Sequence, residues 1–103
     1  MGYSPYYEYV PTVVSGDFEW DEDKAIQNLQ KHGVSFDEAA VALASDPNEQ
    51  TFEDPTDPAR VLSLVMSPQA RVLWVVTTES GPRTRIISAR RANTHEQSQY
   101  SNQ

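Results

Sequence analysis

The chain has no cysteine among its 103 residues, which excludes disulfides, thiol nucleophiles and zinc–thiolate centres and is compatible with a reducing compartment. Histidine occurs only at His32 and His95. Neither has a second ligand at helical i, i+4 spacing, so no metal site is expected, and nothing else in the chain asks for a cofactor. With only four glycines there is no phosphate-cradling loop, no dinucleotide fingerprint and no nucleophile elbow. No apolar run approaches the roughly 18 residues of a membrane span, and the N-terminus lacks the basic start and apolar centre of a secretion signal. These absences describe a soluble, cytoplasmic chain without a membrane partner, long enough for one domain with a single core.

What is present is charge, unevenly distributed. The formal net charge is −7. Residues 1–59 hold thirteen acids against Lys24 and Lys31, a balance of −11, whereas residues 60–103 hold six arginines against Glu79 and Glu96, a balance of +4. Four of the arginines, Arg83, Arg85, Arg90 and Arg91, fall inside "RTRIISARR". An acidic surface repels nucleic acid, and no direct DNA binding is expected. At a Debye length of about 8 Å, however, a local cationic patch still holds a phosphate if the fold separates the two signs.

Residues 1–16, "MGYSPYYEYVPTVVSG", carry four of the five tyrosines and no clear period, and read as an extension outside the main domain at 17–103. After "DFEW", Asp21 is placed to cap a helix that starts with Glu22 and Asp23, carries Ala25, Ile26 and Leu29 as its apolar stripe and stops at Gly33. Ser35 and Glu38 form an S-x-x-E capping box for a second helix that ends before Asp46-Pro47. From Glu49 the period becomes two: "EQTFE", "RVLSLVM", "RVLWVVTT" and "RTRIISAR" predict four strands joined by short turns. Asn93 or Thr94 caps a short last helix reaching about Tyr100. The expected architecture is α+β, an antiparallel sheet of about four strands with two N-terminal helices and one short C-terminal helix.

Two clusters are candidates for chemistry. On the last strand a period of two places Arg83, Arg85, Ile87, Ala89 and Arg91 on one face and Thr84, Ile86, Ser88 and Arg90 on the other. These cations either line a cleft that holds phosphate or pair with Glu19, Asp21, Asp23 or Glu79 and stitch the sheet to the acidic half. Lys31 and His32 end the first helix, where positive charge complements the dipole. They equally suit proton transfer and a point charge for phosphate, histidine being the side chain type that titrates nearest neutrality. His95, in the first turn of a helix, is the weaker candidate.

"FEWDEDKAIQNLQKHGVSFDEA", "RVLWVVTTESG" and "RTRIISARRA", in that order, resemble the BrnT family of toxins from bacterial type II toxin–antitoxin modules, over about Phe18 to Tyr100. The resemblance implies a fold similar to RelE-type ribonucleases, metal-independent endoribonuclease activity that arrests translation, RNA as substrate, and neutralisation by a BrnA-like antitoxin with a ribbon-helix-helix DNA-binding part. By motif position it makes Lys31 and His32 the acid/base candidates, Arg83, Arg85 and Arg90 the phosphate clamp, and Tyr100 a stacking or proton-donating group. Related chains carry an arginine-rich C-terminal helix where this one reads "NTHEQSQY". A binding module that complexes an antitoxin without cutting RNA is therefore the alternative expectation.

Overall fold

In the computed structural model, which describes residues 11–102, all three helices start or stop at residues that the sequence marks as caps. Asp21 Oδ1 accepts the Asp23 and Lys24 N–H groups at 2.8 and 3.2 Å and opens α1 (Glu22–His32). Gly33 ends it at φ 70°, a left-handed position that suits glycine because it has no Cβ. Ser35 Oγ accepts the Glu38 N–H at 3.0 Å and opens α2 (Phe36–Ser45). Only half of the expected capping box forms, because the Glu38 carboxylate leaves the helix end for Arg71 and Ser67. Asn93 caps α3 (Thr94–Ser101) with a complete box, its Oδ1 taking the Glu96 N–H and Glu96 Oε1 taking the Asn93 N–H.

The sheet has six strands rather than about four. They are β1 (Thr12–Ser15), β2 (Phe18–Asp21), β3 (Gln50–Glu53), β4 (Arg60–Met66), β5 (Val72–Ser80) and β6 (Arg83–Arg91), in the order β1-β2-β6-β5-β4-β3. The four expected strands form antiparallel hairpins and pairs. The two added strands come from the start of the chain. β1 pairs with β2 antiparallel, so the sheet reaches into the segment expected to lie outside the domain, of which residues 1–10 fall outside the described residues. β2 pairs with β6 in parallel through Phe18–Thr84 and Glu19–Arg85, which makes the sheet mixed. Strands of four residues leave little local pattern to read, and the β6 partner of β2 comes 66 positions later.

Both helices α1 and α2 lie on one face, over Trp20, Val65, Leu73, Val75, Ile86 and Ala89. The Phe36 ring meets Trp20 edge-on at 6.0 Å and is 1% exposed. The opposite face is covered only over β3 to β5, where Tyr100 and Ala92 close on Leu64 beside Phe52, Met66 and Trp74. One polar cluster ties the helix layer to the β4–β5 turn. Arg71 grips both oxygens of the nearly buried Glu38 carboxylate and donates to the Gly33 carbonyl, while the Ser67 hydroxyl donates to Glu38 at 2.7 Å. The Arg71 hydrogen bonds hold the Glu38 carboxyl below its ordinary pKa despite burial.

Candidate functional site

The register of β6 against β5 corrects the expected distribution of arginines. Ser80, Thr78 and Trp74 pair with Arg83, Arg85 and Arg90, and Leu73 pairs with Arg91. Between Val76 and Thr77 the ladder slips, Val76 facing Ser88 and Thr77 facing Ile86, so that Ile87 has no partner. Cross-strand partners share a face, and a bulge of one residue inverts the alternation beyond it. Arg83, Arg85, Ser88 and Arg90 therefore stand together on the face away from α1 and α2, while Ile86, Ala89 and Arg91 turn toward the helix layer. Strict alternation had put Arg90 opposite Arg83 and Arg85, and the bulge brings all three into one row.

The three arginines differ in what holds them. Arg90 makes a two-pronged pair with Glu96, at 2.8 and 2.9 Å, and lies 5.4 Å above the Trp74 ring. The hydrogen bonds lower the Glu96 pKa and raise that of Arg90. Arg85 donates to Glu19 Oε2 at 3.2 Å, an oxygen that also accepts from the Ser80 hydroxyl. Arg83 has no side-chain hydrogen bond or ion pair among the described residues. Of the four acids named as possible partners, Glu19 is the one that pairs. Glu96 and Trp74 were not anticipated as partners of Arg90.

Lys31 and His32 reach the same strand from its edge. β2 ends early, and α1 continues alongside β6 in its place. Asn28 fills the vacated position: its Nδ2 donates to the Ala89 carbonyl at 2.7 Å and its Oδ1 accepts the Ala89 N–H at 3.2 Å, as a neighbouring strand would. Above this contact Lys24, Lys31, His32, Ile87 and Ser88 line an open cleft of about 270 Å³. Ser88 sits in the row between Arg85 and Arg90, so the cleft leads from the α1 terminus to the arginines.

Tyr100 is placed elsewhere. It is 8% exposed, and its hydroxyl donates to Asp46 Oδ2 at 2.8 Å, an oxygen that also takes the Met66 N–H at 2.7 Å. Burial, together with this contact, pushes the Tyr100 hydroxyl up to about 12. It pins α3 to the end of α2 and to β4. His95 is exposed on the first turn of α3. No cluster of metal-ligating side chains occurs among the described residues, and no helix there is long and apolar enough to cross a membrane.

Residues 20–96 match the model of the family described as ribonuclease toxin, BrnT, of type II toxin–antitoxin system. The chain belongs to the BrnT family. The 1.1 Å crystal structure of the Brucella abortus ribonuclease toxin BrnT resembles it with a TM-score of 0.59 and 26% identity, the alignment covering 73% of this chain and 94% of that one. No curated protein sequence matches the chain. The BrnT model runs from Trp20 to Glu96 and so spans the α1 terminus, all of β6 and the Arg90–Glu96 pair, but not Tyr100.

Proposed function

We propose that this BrnT-family chain is an endoribonuclease toxin that cuts RNA without a metal ion, in the manner of RelE-type enzymes, and thereby arrests translation. The observation that carries the reading is the β6 bulge, which lines Arg83, Arg85 and Arg90 along one open face and brings Ser88, within that row, to the cleft of Lys31 and His32. In such a reaction a ribose 2′-hydroxyl gives up its proton and its oxygen attacks the adjacent phosphorus. The bond to the 5′-oxygen breaks as that oxygen takes a proton, leaving a 2′,3′-cyclic phosphate. His32 and Lys31 are the groups placed to move protons, and the arginine row holds the charge that grows on phosphorus. Arg83, free of any carboxylate among the described residues, is the one immediately available; Arg85 and Arg90 exchange Glu19 and Glu96 for phosphate. Tyr100, engaged by Asp46, anchors α3 rather than meeting RNA. The partner that holds the toxin is a BrnA-like antitoxin with a ribbon-helix-helix part.

The occupied state of Arg85 and Arg90 favours a second reading, a module that binds an antitoxin without cutting RNA. Incubation of purified total RNA with the protein in EDTA separates the two. The ribonuclease reading expects cyclic phosphate ends, and a loss of about 100-fold or more on Arg83→Ala, the scale of a missing oxyanion donor, or on His32→Ala, the scale of a missing proton-transfer group. Intact RNA at low and at physiological salt with folded wild type, with and without ribosomes, leaves the binding module standing.

A further inference from the structure

The helix side of the sheet holds a feature that the ribonuclease reading does not use. Past the end of α2 a cleft of about 310 Å³ opens over β4 and β5. Ser63 and Thr77 line it, and these residues are 1% and 5% exposed. Neither hydroxyl has a hydrogen-bond partner among the described residues. No side-chain oxygen sealed from the surface is left unpaired there, so both hydroxyls open to the cleft. The neighbouring Thr78 hydroxyl, by contrast, is used on the Ala59 carbonyl at 2.7 Å. The walls are apolar, from Phe18, Leu43 and Val61, and among the described residues the only charged ones lining the cleft are Glu49 and Glu79.

We propose that this cleft receives a basic side chain, arginine or lysine, presented by a protein partner. The apolar walls suit the methylene stem of such a side chain, and cationic donors suit what lies within: hydroxyl oxygens to accept from them and carboxylates that form no ion pair among the described residues. A neutral apolar group would leave both hydroxyls unanswered, and an anion would be repelled by both glutamates. Thr77 pairs with Ile86, toward the helices, whereas Thr78 pairs with Arg85, on the other face. The cleft thus opens on the face of the sheet away from the arginine row. The partner half of this inference rests on the antitoxin proposed above; the cation half does not.

The test is an amide NMR titration of the full chain with n-butylguanidinium, with n-butanol and butyrate as neutral and anionic controls. Saturable shifts at Ser63, Thr77 and Thr84 with the guanidinium alone are expected. They should weaken at least fivefold in Glu79→Gln and in Thr77→Val, with the remaining spectrum unchanged. Equal response to n-butanol, or no saturable response at all, overturns the site. A second titration uses the complex with the protein encoded next to this toxin. If the cleft is filled by that partner, n-butylguanidinium no longer moves these signals. If they still respond in the complex, or if spermidine binds the free chain at least tenfold more tightly than an arginine-containing peptide, the cleft serves a free amine and the side-chain proposal fails. RNA cleavage enters none of these readouts, so their failure is separate from failure of the ribonuclease reading.

Discussion

Over one face of the sheet, Phe36, Val34, Ala39 and Ala42 of the helix layer are sealed against Leu73, Val75 and Ala89, nearly all with no exposure at all. Over the other, α3 buries one side chain, Tyr100, and is held otherwise by polar contacts: Tyr100 to Asp46, Gln50 to the Gln99 carbonyl, and Arg90 to Glu96. The first face draws its stability from apolar area, which is non-directional and redundant. The second relies on a few directed bonds, each exposed in part to competing water or ligand. The arginine row of the candidate site lies on the second face, where its charges stay reachable without disturbing the helix-covered core.

Four substitutions sharpen or break this contrast. Phe36→Ala should cost about 3–5 kcal/mol in chemical denaturation, as removal of a buried ring with a residual cavity does. Arg83→Ala on the other face should stay within about 0.5 kcal/mol of wild type, and similar costs for the two would dissolve the distinction. Asn28→Ala should cost about 2–3 kcal/mol, since it strands the Ala89 N–H and the Ala89 and Val34 carbonyls. Amide hydrogen exchange should show Ala89 losing protection first. Tyr100→Phe keeps the ring and removes one of the donors to Asp46, so about 1 kcal/mol is expected. Its mark is faster exchange along α3 with α1 and α2 unaffected.

A further small effect is one of pH. Hydrogen bonding from Arg90 lowers the Glu96 pKa in the folded chain, so its contribution is complete above the ordinary carboxylate value near 4.3 and fades as pH falls through the lowered one. Because Arg90 is partly exposed, with side-chain accessibility of 37%, solvent screening limits that contribution to less than about 1 kcal/mol. Glu96→Gln should lower the neutral plateau by up to that amount and converge with wild type in acid, which flattens the acid side of the stability profile. Acid melts of the two proteins in parallel measure it.

Local chemistry made much of this legible. Asp21, Gly33, Ser35 and Asn93 are cap residues whose preference acts within a few positions, and all four end or begin helices as expected. Of the four later strands β5 alternates cleanly in burial, whereas β4 is buried on both faces at Ser63, Leu64 and Val65 and was legible as an apolar β-rich run between turns. Long-range pairing escaped the reading. β2 joins a strand 66 positions away at the Glu19–Arg85 pair, and a bulge leaves no trace in a run such as "RIISAR", whose apolar residues fit either count. That Arg83 and Arg85 share a face was thus readable, whereas the face taken by Arg90 was not. Tyr100 was visible as a motif position, but its burial against Asp46 required the return of α3 across the sheet.

The Asn28 contact with Ala89 has a consequence for how copies of this chain meet one another. An uncovered strand edge is a template on which a second molecule can add a strand and start an aggregate. The longest strands, β5 and β6, have nine residues each, and the two outermost, β1 and β3, have four. Where β6 outruns β2, Asn28 occupies with a single carboxamide the donor and acceptor that an incoming strand would need. The longest stretch of unpaired edge that the topology creates is thereby closed to self-assembly by one residue of a helix.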